Sequence, residues 1–571
     1  MEQLKALNNE PKIAYFSMEI GLLNDMPTYS GGLGVLAGDT IRSSADLKLP
    51  IVAVTLISKK GYFLQEIDEK GRQTALPVMW NPANFMHRLP QKVTVKIEGR
   101  IVYIQAWYYI VSSLTGGKIP VFFLDTDVEE NSPEDREITS FLYGGDEAYR
   151  FKQEIVLGIG GVRMLDALGF KIKKYHMNEG HASLLALELL QMFKKDVEEV
   201  WDEHLIWDTE RVKDLCVFTT HTPVEAGHDK FSYDLVRSVM GEHIPLDVIK
   251  QLCCHEHLNM TLLALNLSKY INGVAKKHGE VSQNMFPGYE ISAITNGVHS
   301  FTWTCSSFAK LYDRYLHGWA NEPEKFVRVD IIPDEEIWNA HMEAKNNLIA
   351  YVNETTGADM DSNILTIGFA RRATAYKRAD LLFSDLERLS KIAETGKLQI
   401  IYAGKAHPRD EPGKKLIEYI FSCIEKLRGK IKVVYLKNYD MSLALRLVSG
   451  VDVWLNTPLR PLEASGTSGM KAAHNGVINF SILDGWWIEG HIEGVTGWAI
   501  GPRSSEPTLT HDIDTRDADD LYYKLKDIII PLYYSDRTQW IKIMKNSIGK
   551  IAYYFNSHRM MRKYVTEAYI R

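Results

Sequence analysis

The sequence predicts an α/β protein built on two doubly wound parallel sheets. Three observations carry this. Short apolar runs alternate with helical patterns from end to end of the 571 residues. Several of these runs are apolar without polar alternation, as strands covered on both faces are. The runs also fall into two groups, one ending near Asn296 and one beginning near Asn363, which makes two sheets rather than one.

In chain order, the first group of strands is KIAYFSME at Lys12, PIVAVTLI at Pro50, KKYHMN at Lys173, DLCVFTTH at Asp214 and EISAITNG at Glu290. The second is NILTIGFA at Asn363, LQIIYAG at Leu398, IKVVYL at Ile431, VDVWLN at Val451 and VINFSIL at Val477. Between the groups, IPDEEIWNAHMEAKNNLIAYVNETTG has apolar residues at helical spacing and stops near Gly357, a helix with a glycine at its end. The tail DRTQWIKIMKNSIGKIAYYFNSHRMMRKYVTEAYI reads as helices with aromatic and aliphatic stripes. The strand grouping sets the domains at 1–315 and 316–545, with a C-terminal helix, 546–571, packing back on the first domain. There is no repeat at solenoid period and no low-complexity tract.

Composition narrows the function classes. The chain is 45% hydrophobic, 24% charged and 11% aromatic, which excludes a disordered tail, a collagen and a coiled coil. Net charge is −7, from 66 basic and 73 acidic residues, and this argues against a nucleic-acid partner. Five cysteines, few and odd in number, fit a reducing compartment. No apolar run suits a secretory signal or reaches the roughly 20 residues of a membrane helix. The expectation is a soluble, cytoplasmic protein without a membrane partner.

Doubly wound sheets bind ligands outside the carboxyl ends of their strands, and two such sheets facing each other make a cleft. The residues just after the strands are therefore the candidates. TYSGGLGVLAGDTIRSS places Gly31, Gly32 and Gly34 before a helix opening near Val35, either an anion-binding turn or a bare tight turn. GFARRATAYKRADLL places Arg371, Arg372, Lys377 and Arg378 after a strand, with a helix expected from about Tyr376. Cations gathered at a helix start oppose its dipole unless an anion joins them, so a phosphate site is favoured over a solvated basic turn. YAGKAHPRD puts Lys405 at another strand end, more in keeping with a surface loop.

The strongest motif is PLEASGTSGMKAAHNG. Its small residues, Ala464 to Gly469, precede Lys471, which lies among Met470, Ala472 and Ala473. Backbone donors there suit a phosphate or sugar hydroxyls. A lysine among apolar neighbours suits Schiff-base chemistry. Glu463 is placed to accept from sugar hydroxyls, and a helix cap with an exposed lysine is the bland alternative. Further polar residues at strand ends are Asn178, Glu179 and His181 in HMNEGH, His221 and Thr222 in TTHTPVEAGH, and Asn296 and His299 in TNGVHS. Two decoys are set aside. Cys253, Cys254, His255 and His257 lack zinc spacing. GIGGVRMLDALG at Gly158 lacks dinucleotide spacing and continues a helical stripe.

Taken together these motifs resemble the α-glucan phosphorylases, the glycogen, starch and maltodextrin family, in a compact prokaryotic branch. SMEIGLLNDMPTYSGGLG, GFARRATAYKR, GKA, EASGTSGMK and LDGWW carry the likeness, in that order, over most of the chain. The resemblance implies a GT-B fold with pyridoxal 5′-phosphate between two Rossmann-like domains. It implies that Lys471 forms the Schiff base and that Arg372 and Lys377 bind phosphate groups. Thr467, Gly466, Arg371 and Gly32 fall on cofactor positions. Tyr376, Glu463, Ser465, Asn296, Asn178, Glu179 and Leu33 fall on substrate positions, and His221 joins Lys471, Arg372 and Lys377 as catalytic. Arg371 and Thr374 depart from the longer animal and plant members, which have lysine and histidine there. Trp486 and Trp487 stay open between sugar stacking and core.

The implied reaction is reversible, configuration-retaining phosphorolysis of a (1→4)-α-glucan to glucose 1-phosphate, in a homodimer. The cofactor's phosphate would exchange a proton with the substrate phosphate, so the paired carboxylates of ordinary glycosidases are not needed. Two other readings stand beside it: a sugar-nucleotide-dependent glycogen or starch synthase on the same fold, and an inactive glucan-binding protein.

Overall fold

A computed structural model of the chain describes residues 2–196, 203–502 and 512–570. The chain forms two compact units. One comprises Met1–Phe63, Pro77–Ile294 and Met560–Arg571, the other Leu64–Leu76 and Thr295–Arg559. Among the described residues no helix is long and apolar enough to cross a membrane.

The first unit is built on a nine-stranded sheet. Lys12–Ser17 pairs in parallel with Ile51–Leu56 on one side and Ile172–Asn178 on the other. Beyond these, Cys216–Thr219, Tyr270–Gly273 and Ser292–Ala293 continue the parallel part. Every residue of Lys12–Ser17 and Ile51–Leu56 is buried, which is why these runs are apolar on both faces. The all-parallel expectation fails at the other edge, where His87–Ile97, Arg100–Ser112 and Lys118–Asp125 pair antiparallel. The cause is local. Glu98 and Gly99 both take positive φ, 51° and 78°, and reverse the chain in a two-residue turn whose twist suits a hairpin.

Helices cover this sheet. The glycines of GIGG lie in a buried helical stretch running on from Glu147–Ile155. A Cβ on Gly158 would meet Leu185 N at 2.6 Å, and one on Gly161 would meet Phe16 at 2.5 Å. These glycines serve close packing, as the helical stripe suggested. From the C-terminal segment, Met560, Met561, Tyr564, Ala568 and Tyr569 pack with Ile13, Tyr15 and Ile51. The Tyr569 hydroxyl lies 2.7 Å from His176 Nδ1.

The second unit has a six-stranded sheet, parallel throughout. Its strands are Leu365–Ala370, Leu398–Ala403, Lys432–Leu436, Val453–Asn456, Ile478–Ile482 and Gly497–Ile500. Numbered in that chain order they lie 3-2-1-4-5-6, the doubly wound order with its switch between the first and fourth strands. The helix Asp334–Thr356 ends at Gly357, whose φ of 67° is the left-handed stop.

The units divide earlier than residue 315, because Phe308, Leu311 and Tyr312 pack into the second unit's core with Ile367 and Phe480. Ile548 and Ala552 belong to that core too, so only the residues from Met560 onward join the first unit. The hairpin Leu64–Ile67 and Gln73–Leu76 also belongs to the second unit. Gln65 donates to Gly404 O at 2.9 Å and Gln73 to Ala406 O at 2.9 Å.

Candidate active site

In the second unit the candidate residues gather where its strand order reverses. Arg371 follows Leu365–Ala370, and Thr457 to Glu463 follow Val453–Asn456. A ligand site is expected at such a switch point. Glu463 accepts from Lys377 Nζ at 2.7 Å and from Arg371 Nη2, both on the same oxygen, Oε2. Burial alone would raise the Glu463 carboxyl. The charges of Arg371 and Lys377, with their hydrogen bonds, outweigh it and bring the group down to about 2. The ammonium of Lys377 also lies 4.5 Å from the centre of the Tyr376 ring.

Three carriers of charge thus meet at one oxygen, two positive and one negative. The other guanidinium nitrogen, Arg371 Nη1, is buried and has no hydrogen-bond partner among the described residues. A buried, unanswered donor of this kind suits an anionic acceptor. Arg372 is the exposed neighbour. Ala375–Lys377 is a single turn and Arg378 takes a φ of 45°, so the helix expected from Tyr376 does not form. The dipole argument for an anion therefore falls away, and the unanswered donor of Arg371 takes its place. Arg378 is structural. It donates to Thr457 O and Pro458 O, both at 3.0 Å, and pairs with Asp514 and Asp517.

Lys471 sits in the helix Ser468–His474, whose residues Gly469 to His474 are buried. Its ammonium stands 3.7 Å from the centre of the Trp303 ring. The sequence reading did not single out Trp303, since a tryptophan far away in sequence carries no spacing signal. Ala472, next to Lys471, shares a core cluster with Ala370, next to Arg371. The EASG segment is held from behind: Trp486 N donates to Ser465 O at 2.9 Å and Glu463 N to Asp484 Oδ2 at 2.9 Å. Ser465 itself is buried and donates to Gly466 O at 3.1 Å. Thr467, half-buried, leads into the Lys471 helix without capping it through its side chain. Asn296 is buried, and its Oδ1 has no partner among the described residues. Trp486 and Trp487 resolve as core: both are buried, with ring centres 5.1 Å apart, and Trp486 meets Phe555 edge-on at 5.0 Å.

The remaining candidates lie in the first unit. Asn178 ends the strand Ile172–Asn178, and its Oδ1 lies 2.6 Å from His221 Nε2. Glu179 has a φ of 75°, strained for a residue with a side chain. Its carboxylate accepts from Gly180 N at 3.0 Å, His221 N at 2.7 Å and Thr222 Oγ1 at 2.9 Å. Burial pushes the Glu179 carboxyl up and takes the His221 imidazole down to about 3, so His221 is neutral near pH 7. Gly32 opens the helix Gly32–Asp46, and Leu33 is half-buried beside it. The N–H groups of Ser30 and Gly31 are taken by the Glu19 carboxylate, so these two donors of the glycine turn are answered from within the fold.

Comparison with known proteins adds an independent finding. The profile of the family described as carbohydrate phosphorylase matches residues 246–494. Maltodextrin phosphorylase of Thermococcus litoralis is 42% identical over 98% of this chain and 70% of its own length. Glycogen phosphorylase of Aquifex aeolicus is 38% identical over 98% of this chain and 86% of its own. Glycogen phosphorylase of Mycobacterium tuberculosis is 35% identical over 98% and 70%.

Proposed function

Because the chain belongs to the carbohydrate phosphorylase family, we propose that it splits (1→4)-α-glucan with inorganic phosphate, reversibly and with retention, to give glucose 1-phosphate. The protein is an α-glucan phosphorylase, a glycosyltransferase of GT-B fold. The observation that carries the residue assignment is the Arg371–Glu463–Lys377 triad, with Arg371 Nη1 left over.

Pyridoxal phosphate is the cofactor proposed with it, and the residues present fit. Lys471 offers a buried amine and Arg371 a buried donor without an acceptor. When bound, the cofactor supplies a phosphate whose second pKa of ~6 lets it exchange a proton with the substrate phosphate near neutrality. Lys471 would hold it through its side-chain amine, and Thr467, Gly466 and Arg371 would hold its phosphate. Arg372 and Lys377 would bind the incoming phosphate and offset the repulsion between two anions. Glu463, Ser465, Tyr376 and Asn296 would take the glucosyl hydroxyls. Glu463 remains ionised at any working pH, so it accepts and never donates.

For the first unit, Asn178, Glu179, Leu33 and His221 are proposed for the sugar side and Gly32 for the cofactor side. Neutral His221 is directed by Asn178. A cytoplasmic homodimer is the proposed setting; all five cysteines are free thiols. The test pairs two measurements. Glucose 1-phosphate should appear from maltodextrin or glycogen with phosphate, and the purified protein should carry a borohydride-fixable chromophore that Lys471→Ala lacks. An active protein without any such chromophore would overturn the cofactor assignment.

A further inference from the structure

We propose that Asp484 is a positioning residue of the phosphorolysis: its carboxylate fixes the backbone of Glu463 and so sets where that side chain presents its oxygens. The inference rests on the reading of Glu463 as a glucosyl contact.

Asp484 stands just beyond the strand Ile478–Ile482, which pairs with Val453–Asn456, the strand before the Glu463 loop. It is 3% exposed. Its Oδ2 accepts the Glu463 N–H at 2.9 Å and its Oδ1 the Gly485 N–H at 2.9 Å. One residue on, Trp486 N donates to Ser465 O at 2.9 Å. The turn 484–486 therefore grips the loop at Glu463 and again at Ser465.

Gly485 closes the grip. Its φ is 54°, and a Cβ there would stand 2.3 Å from Ser465 O and 3.1 Å from Glu463 O. The loop lies on this turn with no room for a side chain between them. The Glu463 side chain, anchored this way, reaches both Arg371 and Lys377. The LDGWW segment, whose tryptophans are core, thus carries its functional residue two positions earlier.

The charged side chains that bear most on Asp484 are those of Glu463 and Arg460. Burial, and to a lesser degree the negative charge of Glu463, lift its carboxyl to about 7, against the two N–H donors and Arg460. Near neutrality both protonation states are populated. The ionised form accepts both N–H groups fully, whereas the protonated form gives one oxygen a proton of its own. Asp484→Asn keeps the shape, turns one acceptor into an NH2 group and abolishes the ionisation.

The experiment compares Asp484→Asn and Gly485→Ala with the wild-type holoenzyme. It records kcat/KM for glucan against pH, cofactor retained after dialysis, and melting temperature. Asp484→Asn should lose about 10–100-fold in kcat/KM, the scale of a small misplacement at a reacting centre. It should keep its cofactor and show a pH profile altered near pH 7, where the Asp484 ionisation no longer adds to those of the phosphates. Gly485→Ala should lose activity by a similar factor and keep that ionisation. Asp484→Asn within twofold of wild type, with an unchanged profile, overturns the proposal. So does a loss that merely follows cofactor content or unfolding. If Asp484→Asn does not fold, Gly485→Ala decides: folded, loaded and of normal kcat/KM, it overturns the proposal as well. A wild type that releases no glucose 1-phosphate would sink the reading of the function instead.

Discussion

At the residue scale, the arithmetic of charge at Glu463 decides what the second unit can bind. One carboxylate cannot neutralise two cations, and Arg371, Glu463 and Lys377 all have side chains about a tenth exposed or less. An uncompensated positive charge away from water is costly, and an incoming phosphate offsets that cost. Lys377→Ala should therefore cut turnover by about 100-fold or more, as loss of a preorganised electrostatic group does. Glucose 1-phosphate release at saturating glucan checks this, and near-normal turnover would remove Lys377 from the phosphate site. Most of this cluster was legible from residue types following strands. What the sequence did not carry was which arginine turns inward. Arg371 meets Glu463 while Arg372 is exposed, and adjacent arginines in a loop have no periodicity to tell them apart. Asp484 was equally silent, because its significance lies in two backbone N–H groups rather than in a motif.

At the element scale, continuous apolar strands were readable because burial on both faces forces their composition. KIAYFS and LTIGFA are buried at every residue, and both were placed within a residue or two. The antiparallel strands were missed for the complementary reason. Arg100–Ser112 alternates buried with half-buried residues, and its outward positions Tyr103, Trp107 and Tyr109 are aromatic, so neither burial on both faces nor a polar alternation marks it in the sequence. The hairpin 64–76 offers still less, since its strands are four residues each. Its importance is in side-chain bonds to distant loops. Gln65 is fully buried; it donates to Gly404 O at 2.9 Å and accepts from Asn438 N at 3.0 Å. Gln65→Ala removes both bonds, leaves the part-buried Asn438 N–H without its acceptor, and should cost about 1–3 kcal/mol of stability. Urea unfolding of the variant checks this, and an unchanged midpoint would mean that the hairpin does not hold the 404–406 loop.

At the scale of the whole molecule, the buried histidines set how the fold responds to acid. Burial lowers His176, His181 and His221 to about 3 and His474 to about 4, whereas an unfolded imidazole titrates near 6.5. Between those values the unfolded chain binds protons that the folded chain refuses, so stability must fall as pH drops through that window. Glu463 adds to the same trend lower down. Held at about 2 by its two cations, it contributes stability above the ordinary carboxyl value that is lost as pH falls towards 2. Asp484 works the other way. Raised to about 7, it holds a proton in the folded state that the unfolded state has released, so its contribution weakens as pH climbs from about 4 to 7. Burial raises Glu154, Glu179 and Asp517 in the same sense, and it lowers His228 and His278 to about 4, so a few carboxyls oppose six imidazoles and the histidines prevail. The melting temperature of the cofactor-free protein should therefore decline steadily from pH 6.5 to pH 4.5, within the histidine window and above that of Glu463. Asp484→Asn removes one of the opposing groups and should make that decline steeper. A melting temperature flat across the interval would mean that these imidazoles take up protons while folded, and neutral His221 could then no longer be the form directed by Asn178.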